Sequence, residues 1–167
     1  MAAGLNPAEL EALARQVGEA LRQRHEMLAT AESCTGGWVA QCLTAIAGSS
    51  AWFERGFVTY SNQAKMDMLG VLGGVLEEHG AVSEATARAM AQGAVAHSRA
   101  QWSLAITGIA GPGGGSVAKP VGTVCFAWAR RDGGCLATTR HFGGDRDAVR
   151  RQAVAFALGG LLEQLHA

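Results

Sequence analysis

Two nucleophilic side chains, Ser33 and Cys34, are adjacent in residues 31–37, which read AESCTGG. A serine oxygen or a cysteine sulfur attacks a carbonyl carbon once a base removes its proton and N–H groups stabilise the oxyanion. The glycines at 36 and 37 let the backbone approach a ligand closely. A serine or threonine before a helix is also a common N-cap, so this stretch alone is compatible with an ordinary capped turn.

Two other loops carry polar or glycine-rich residues after an apolar run. In residues 60–65 (YSNQAK), Lys65 is a general base only if burial keeps its amine neutral, and is otherwise a solvated helix lysine. Residues 107–114 (TGIAGPGG) match neither the Walker phosphate loop nor the GxGxxG dinucleotide motif. Ligand sites of open α/β sheets lie where strands end and helices begin, so we expect the three loops to meet.

The elements that must position these loops alternate along the chain. Apolar residues at helical spacing predict helices over about 7–24, 38–48, 62–69, 82–98 and from 146 onwards, with Asn6, Asn62 and Asp145 as N-caps. Apolar runs predict strands over 27–31, 56–60, 102–107, 122–130 and 136–142, the last two as a hairpin turned at 132–134. This alternation predicts an α/β fold: one domain over residues 1–167, a three-layer α/β/α sandwich around a mixed β-sheet.

Composition excludes several classes of function. Lys and Arg together number 14, as do Asp and Glu, so no net charge attracts nucleic acid or a membrane surface. No signal peptide or long apolar segment is present, which predicts a cytoplasmic protein. The four cysteines lack CxxC spacing and the five histidines form no HExxH pair, so we expect reduced thiols and no metal site.

The three loops are far more specific together than singly. AESCTGG, WFERGFVTYSNQAK, GAVSEATA, ITGIAGPGGGS, KPVGTV and FGGDRDAVRRQA follow one another in this order. From about Leu10 to Leu162 the chain resembles the CinA C-terminal domain family. The resemblance implies an amidase that hydrolyses nicotinamide mononucleotide (NMN) to nicotinate mononucleotide and ammonia, in NAD recycling. It also implies a serine nucleophile with a lysine partner, no cofactor, and a homodimer.

The resemblance assigns roles to individual residues. The family's motif serine corresponds to Ser33 and its motif lysine to Lys65. The other motif positions correspond to Ser50, Tyr60, Ser61, Asn62, Thr107, Gly108 and Gly111.

A mechanism for amide hydrolysis follows as a hypothesis. Ser33 attacks the carbonyl carbon, and neutral Lys65 takes its proton and later protonates the leaving nitrogen. Tyr60, Ser50 or Thr107 orient the lysine or relay protons. The oxyanion hole is expected from the backbone N–H groups of Cys34, Thr35 and Gly36.

Several alternatives stay open at this point. A Cys34 thiolate at a helix N-terminus would be a strong nucleophile, although a free cysteine is more often a small buried hydrophobe. Glu32 either orients Lys65 or Tyr60, or accepts hydrogen bonds from loop N–H groups. The chain could also be a non-catalytic nucleotide- or partner-binding module, or an amidase for another small nucleotide amide.

The substrate phosphate needs its own binding groups. Backbone donors of residues 107–114 and the side chain of Arg146 are the predicted phosphate ligands. Arg150 is expected to be solvated on the surface of the last helix, and Arg55 and Lys119 are further, unranked candidates.

Overall fold

A computed structural model describes residues 5–167 of the chain. Its elements are α1 (Pro7–Arg24), β1 (Leu28–Glu32), α2 (Trp38–Thr44), β2 (Phe53–Val58), α3 (Asn62–Leu69), α4 (Gly73–His79), α5 (Glu84–Ala96), β3 (Trp102–Gly108), β4 (Thr123–Arg130), β5 (Cys135–His141) and α6 (Arg146–His166). A 3-10 turn at Ser49–Ala51 precedes β2.

The five strands form one mixed sheet in the order β2-β1-β3-β4-β5. Strand β1 pairs in parallel with β2 on one side and β3 on the other, while β4 and β5 continue the sheet as an antiparallel hairpin. The carboxyl ends of the three parallel strands therefore lie side by side at one edge, which we call the carboxyl edge.

Helices cover both faces of the sheet. Residues of α1, α2 and α6 pack with Leu104 and Phe126 on one face, and residues of α3, α4 and α5 pack with Ala105 and Ala127 on the other. All five residues of β1 are buried, as expected of a parallel strand covered on both faces. The predicted α/β/α sandwich around a mixed sheet is confirmed. No helix in residues 5–167 is long and apolar enough to cross a bilayer.

Local signals explain which element bounds were predicted well. Helix α1 begins with a capping box in which Asn6 and Glu9 bond each other's backbone N–H, and it ends at Arg24 as expected. Helix α2 begins at Trp38 as expected, directly after Gly36 and Gly37 with their positive φ angles of 59° and 102°. It ends at Thr44 rather than near residue 48, because the N–H groups of Ile46 and Ser49 bond carbonyls three residues back and the chain leaves the helix in tight turns.

Two other expectations fail. Helix α4 was not predicted, because it begins with two glycines and has no capping side chain. The cap of α3 is Ser61 rather than Asn62, since the Ser61 hydroxyl accepts a hydrogen bond from the N–H of Ala64 at 3.0 Å. Asn62 is the first residue of that helix.

Candidate active site

Lys65 and Ser33 meet at the carboxyl edge of the sheet. Nζ of Lys65 lies 3.1 Å from Oγ of Ser33 and 3.1 Å from the carbonyl oxygen of Thr59. Both side chains are buried, Lys65 at 1% exposure and Ser33 at 8%. A neutral amine that donates to Thr59 can direct its lone pair at the hydroxyl hydrogen of Ser33. The pair thus has the geometry of a general base beside a nucleophile.

Local structure explains why these two side chains meet. Ser33 is the first residue after β1, and its N–H donates to the carbonyl of Ile106 in β3 at 3.0 Å, which attaches the nucleophile to the central strands. Lys65 is the fourth residue of α3. Because Cα–Cβ bonds in a helix tilt towards its N-terminus, the lysine side chain extends back towards the strand ends.

The surroundings of the Lys65 amine disfavour its charged form. Burial lowers the pKa of Lys65 from its ordinary value of 10.5, because the ammonium loses hydration. Within residues 5–167, no carboxylate forms an ion pair with this lysine. A larger fraction of the amine is therefore neutral near physiological pH than for an exposed lysine, as a general base requires.

Glu32 stabilises the backbone that follows β1. Its carboxylate is 1% exposed and accepts hydrogen bonds at 2.7 to 3.2 Å from one hydroxyl and three N–H groups. The donors are Oγ1 of Thr35 and the N–H groups of Gly37, Val39 and Ala40. Of the two roles open from the sequence, the geometry gives Glu32 the structural one, without a bond to Lys65 or Tyr60.

Cys34 lies in a poor environment for a thiolate. Its side chain is buried, and burial raises the pKa of the Cys34 thiol to about 12. Arg150 acts in the opposite direction but is a smaller influence. A reactive cysteine needs a lowered thiol pKa, so the geometry favours the Ser33 oxygen over the Cys34 sulfur.

Residues 33–36 form a tight turn, which we call the nucleophile turn. The N–H of Gly36 donates to the carbonyl of Ser33 at 3.0 Å. Nε of Arg150 donates to the carbonyl of Cys34 at 3.0 Å, and its Nη2 donates to the carbonyl of Thr35 at 3.1 Å. The expectation that Arg150 is a solvated surface residue is therefore wrong: it is half-buried and binds two successive carbonyls of this turn.

A pocket of about 270 Å³ opens in front of the Ser33–Lys65 pair. Its wall includes all three loops singled out in the sequence. The predicted residues that line it are Ser33, Cys34, Tyr60, Asn62, Lys65, Thr107, Gly108, Gly111 and Arg146. The volume is near the lower end of the range for small-ligand sites.

Arg146 joins two walls of the pocket. It is exposed, and its Nη1 donates to the carbonyl of Gly111 at 2.7 Å while its Nη2 donates to the Tyr60 hydroxyl at 3.0 Å. Tyr60 is 62% exposed and makes no hydrogen bond to Lys65. The buried hydroxyl of Thr107 donates to the carbonyl of Ala81 at 2.8 Å, so neither side chain orients the lysine directly in this structure.

Ser50 lies away from the pocket, contrary to the expectation. The N–H of Leu28 donates to the carbonyl of Trp52 at 2.8 Å, which places the turn containing Ser50 beside the start of β1. Ser33 lies beyond the other end of that strand, about 16 Å away at the rise of five strand residues. The reason is that α2 packs along one face of the sheet and returns the chain from the carboxyl ends to the amino ends of the parallel strands.

Other candidates also lie outside the pocket. Thr35 and Gly36 belong to the nucleophile turn but do not line the cavity, and the N–H of Gly36 is already bonded to Ser33. Arg55 bonds Glu54 and the carbonyl of His97, and Nζ of Lys119 donates to the carbonyl of His79. A larger cleft of about 570 Å³ between β5 and α6 contains none of the predicted site residues.

Three contributors were missed by the sequence analysis. Ala81 and Val82, just before α5, line the pocket, and the Thr59 carbonyl binds Lys65. The GAVSEATA stretch was noticed as a motif, but nothing in it predicts a pocket wall. Within residues 5–167, no cluster of His, Cys, Asp and Glu side chains has the proximity needed for a metal ion.

Comparison with known proteins identifies the family. The CinA C-terminal domain model matches residues 10–165. Nicotinamide-nucleotide amidohydrolase PncC of Escherichia coli K12 is 57% identical over 160 residues, which cover 96% of this chain and 97% of that protein. The protein of the same name from Pseudomonas putida is 52% identical over 152 residues, covering 90% and 94%.

A solved structure agrees with this assignment. The competence/damage inducible protein CihA from Agrobacterium tumefaciens superposes with a TM-score of 0.93 at 48% identity, covering 98% of this chain and 99% of that one. The chain belongs to the CinA C-terminal domain family.

Proposed function

We propose that this protein is a nicotinamide-nucleotide amidase that converts NMN to nicotinate mononucleotide and ammonia through a Ser33 acyl-enzyme. The observation that carries the proposal is the buried Lys65 amine 3.1 Å from the Ser33 hydroxyl, beside a pocket and without a carboxylate partner among residues 5–167. The names of the E. coli and P. putida relatives support the choice of substrate.

In the acylation step, Oγ of Ser33 attacks the carboxamide carbon while the Lys65 lone pair takes the hydroxyl proton. The negative charge that develops on the amide oxygen needs N–H donors nearby. The N–H of Cys34 is the nearest candidate in the pocket wall, since the N–H of Ser33 is bonded to Ile106 and that of Gly36 to Ser33. Collapse of the tetrahedral intermediate breaks the C–N bond, and Lys65 returns its proton to the leaving ammonia.

In the deacylation step, water attacks the ester carbon and gives a proton to Lys65. The ester C–O bond then breaks, Lys65 reprotonates Oγ of Ser33, and nicotinate mononucleotide leaves. One lysine thus acts in turn as base and acid, as in other Ser–Lys variants of the catalytic triad.

The charges of the substrate suit this pocket. The pyridinium ring of NMN is cationic, so a bound substrate further disfavours an ammonium on Lys65 and keeps the base neutral. The substrate phosphate is anionic, and Arg146 at the pocket rim is the proposed cation for it. The product is a deamidated pyridine nucleotide, which is the basis for the proposed place in NAD recycling.

The remaining expectations stay predictions. They are a single amidase domain over residues 1–167, a homodimer, a cytoplasmic location and activity without a cofactor.

Ammonia release from purified protein tests the proposal. We expect release from NMN and much slower release from the two other amides. Nicotinamide lacks the ribose phosphate, and glutamine lacks both the ribose phosphate and the pyridine ring. Ser33→Ala and Lys65→Met should abolish it, whereas Ser50→Ala serves as a control on the opposite edge of the sheet. No ammonia from NMN would reject the proposal and favour a binding module, and faster release from another nucleotide amide would reassign the substrate.

A further inference from the structure

Arg150 is the one arginine side chain in residues 5–167 that binds backbone carbonyls of the nucleophile turn. Its two bonds reach the carbonyls of Cys34 and Thr35, which are successive in the chain. Two adjacent carbonyls can bind one guanidinium only if both point to the same side, which here is the side of the α6 arginine. Arg150 does not line the pocket.

The direction of a carbonyl also fixes the direction of an N–H. In a trans peptide unit the C=O and the following N–H point in opposite directions, so the carbonyls of Cys34 and Thr35 held by Arg150 turn the N–H groups of Thr35 and Gly36 away from Arg150. The Gly36 N–H closes the turn on the carbonyl of Ser33. The N–H groups of Cys34 and Thr35 make no hydrogen bond to any acceptor in residues 5–167. Of these two residues Cys34 lines the pocket, so its N–H is the one that a bound ligand can satisfy.

We propose that Arg150 is a positioning residue for the proposed amidase reaction: it keeps the carbonyls of Cys34 and Thr35 out of the reaction space, and so maintains the turn in the conformation that presents the N–H of Cys34 to the oxyanion. The inference rests on the proposed function. Without Arg150, rotation of the peptide between Cys34 and Thr35 would direct a carbonyl dipole towards the developing negative charge, which is repulsive.

The support on either side of the turn agrees with this role. After the turn, Glu32 accepts hydrogen bonds from the N–H groups of residues 37, 39 and 40. Within the turn, Arg150 donates hydrogen bonds to two carbonyls. The guanidinium of Arg150 also lies 5.3 Å from the ring centroid of Trp38, which limits its movement. One turn earlier on α6, Arg146 bonds the walls of the pocket, so one helix supports both parts of the site.

The neighbouring Arg151 is a matched control. Its guanidinium lies at the same 5.3 Å distance from the Trp38 ring and pairs with Asp147 at 2.8 Å, but it does not contact the nucleophile turn. Arg151→Gln therefore removes the same charge and the same ring contact from the same helix.

Steady-state kinetics with NMN is the first test. We expect Arg150→Gln to lower kcat about 100-fold with KM changed less than about threefold, because the lost interaction acts on the transition state. Arg150→Lys, which keeps the charge and one donor, should recover part of the activity, and guanidinium ion should partly rescue Arg150→Ala. The limb of the pH profile that reports Lys65 should not move, and Arg151→Gln should behave as the wild type.

A second readout does not depend on the substrate. A fluorophosphonate phosphonylates Ser33: Oγ forms the P–O bond, fluoride leaves, and Lys65 takes the hydroxyl proton. Arg150→Gln should slow this labelling while Arg151→Gln should not. If the wild type releases ammonia from NMN but Arg150→Gln matches Arg151→Gln in both assays, the positioning role is wrong and the amidase proposal stands. If the wild type releases none, the amidase proposal is wrong, and the labelling rates alone decide whether Arg150 positions the nucleophile turn.

Discussion

The nucleophile turn and the glycine-rich loop (residues 109–122, between β3 and β4) both border the pocket but differ in how they are held. Residues 33–35 are buried, and the turn is bonded by Glu32, Arg150 and its own backbone. Residues 112–118 of the loop are exposed, and Val117 is fully solvent-accessible. The comparison teaches that the attacking atom lies on buried, hydrogen-bonded backbone, while the outer part of the glycine-rich loop, residues 112–118, is exposed to solvent.

The largest expected effect comes from the two residues at the floor of the pocket. Ser33→Ala and Lys65→Met should each lower kcat about 10⁴-fold or more with NMN, and the double variant should be no worse than either one. This follows because the base has no function without the nucleophile, and the nucleophile has little reactivity without the base. If the fold-loss of the double variant, measured by initial ammonia release, instead equals the product of the two single fold-losses, the two side chains act independently.

Loss of the Glu32 carboxylate should destabilise the nucleophile turn. Glu32→Ala leaves several buried donors without an acceptor, and we expect a loss of about 3 kcal/mol in the free energy of unfolding by urea. Glu11→Ala, which removes an exposed ion pair with Arg15, should change stability by less than about 0.5 kcal/mol. Equal effects of the two variants would show that the turn is not held by Glu32.

The pH dependence should report Lys65. If neutral Lys65 is the base, kcat/KM should rise about tenfold per pH unit below the pKa of Lys65 and reach a plateau above it. Since burial lowers this pKa, the midpoint of the rise should lie below 10.5. The unfolded state binds more protons between that lowered pKa and 10.5, so stability must rise with pH in this window. The unfolding free energy of the wild type relative to Lys65→Met should therefore increase as pH rises towards 10.5, and a decrease would contradict a buried, neutral lysine.

The smallest effect is expected in the glycine-rich loop. Val117→Ser replaces a fully exposed side chain, so the unfolding free energy should change by less than about 0.5 kcal/mol and kcat should stay within twofold. A tenfold loss of kcat would mean that this loop orders over the substrate, and the contrast between the two regions would then apply only to the free enzyme.

Sequence patterns predicted the parts of this molecule that depend on local chemistry. The capping box at Asn6 and Glu9 fixed the start of α1, and the turn at 132–134 correctly joined the hairpin. The three loops were expected to meet because parallel strands share their carboxyl ends, and they line one pocket. Helix α4 was missed because its first turn has neither a cap nor good helix formers.

Contacts between elements far apart in the chain could not be predicted from sequence patterns. Arg150 is 116 residues from Cys34, and nothing in the local pattern of α6 distinguishes it from a solvated arginine. Ser50 was wrongly placed in the site, because its position in a family motif does not indicate at which end of the strands it lies. Burial of Lys65 likewise depends on α3 packing against α5 and is not encoded in YSNQAK alone.

Identification of the acylated residue during turnover tests the central claim most directly. An acid-quenched reaction of the protein with NMN, digested and mapped by mass spectrometry, should show a nicotinate mononucleotide ester on Ser33, formed with release of ammonia. Lys65→Met should not accumulate this ester. Wild-type turnover with the adduct on Cys34, or undiminished turnover of Ser33→Ala, would contradict the account.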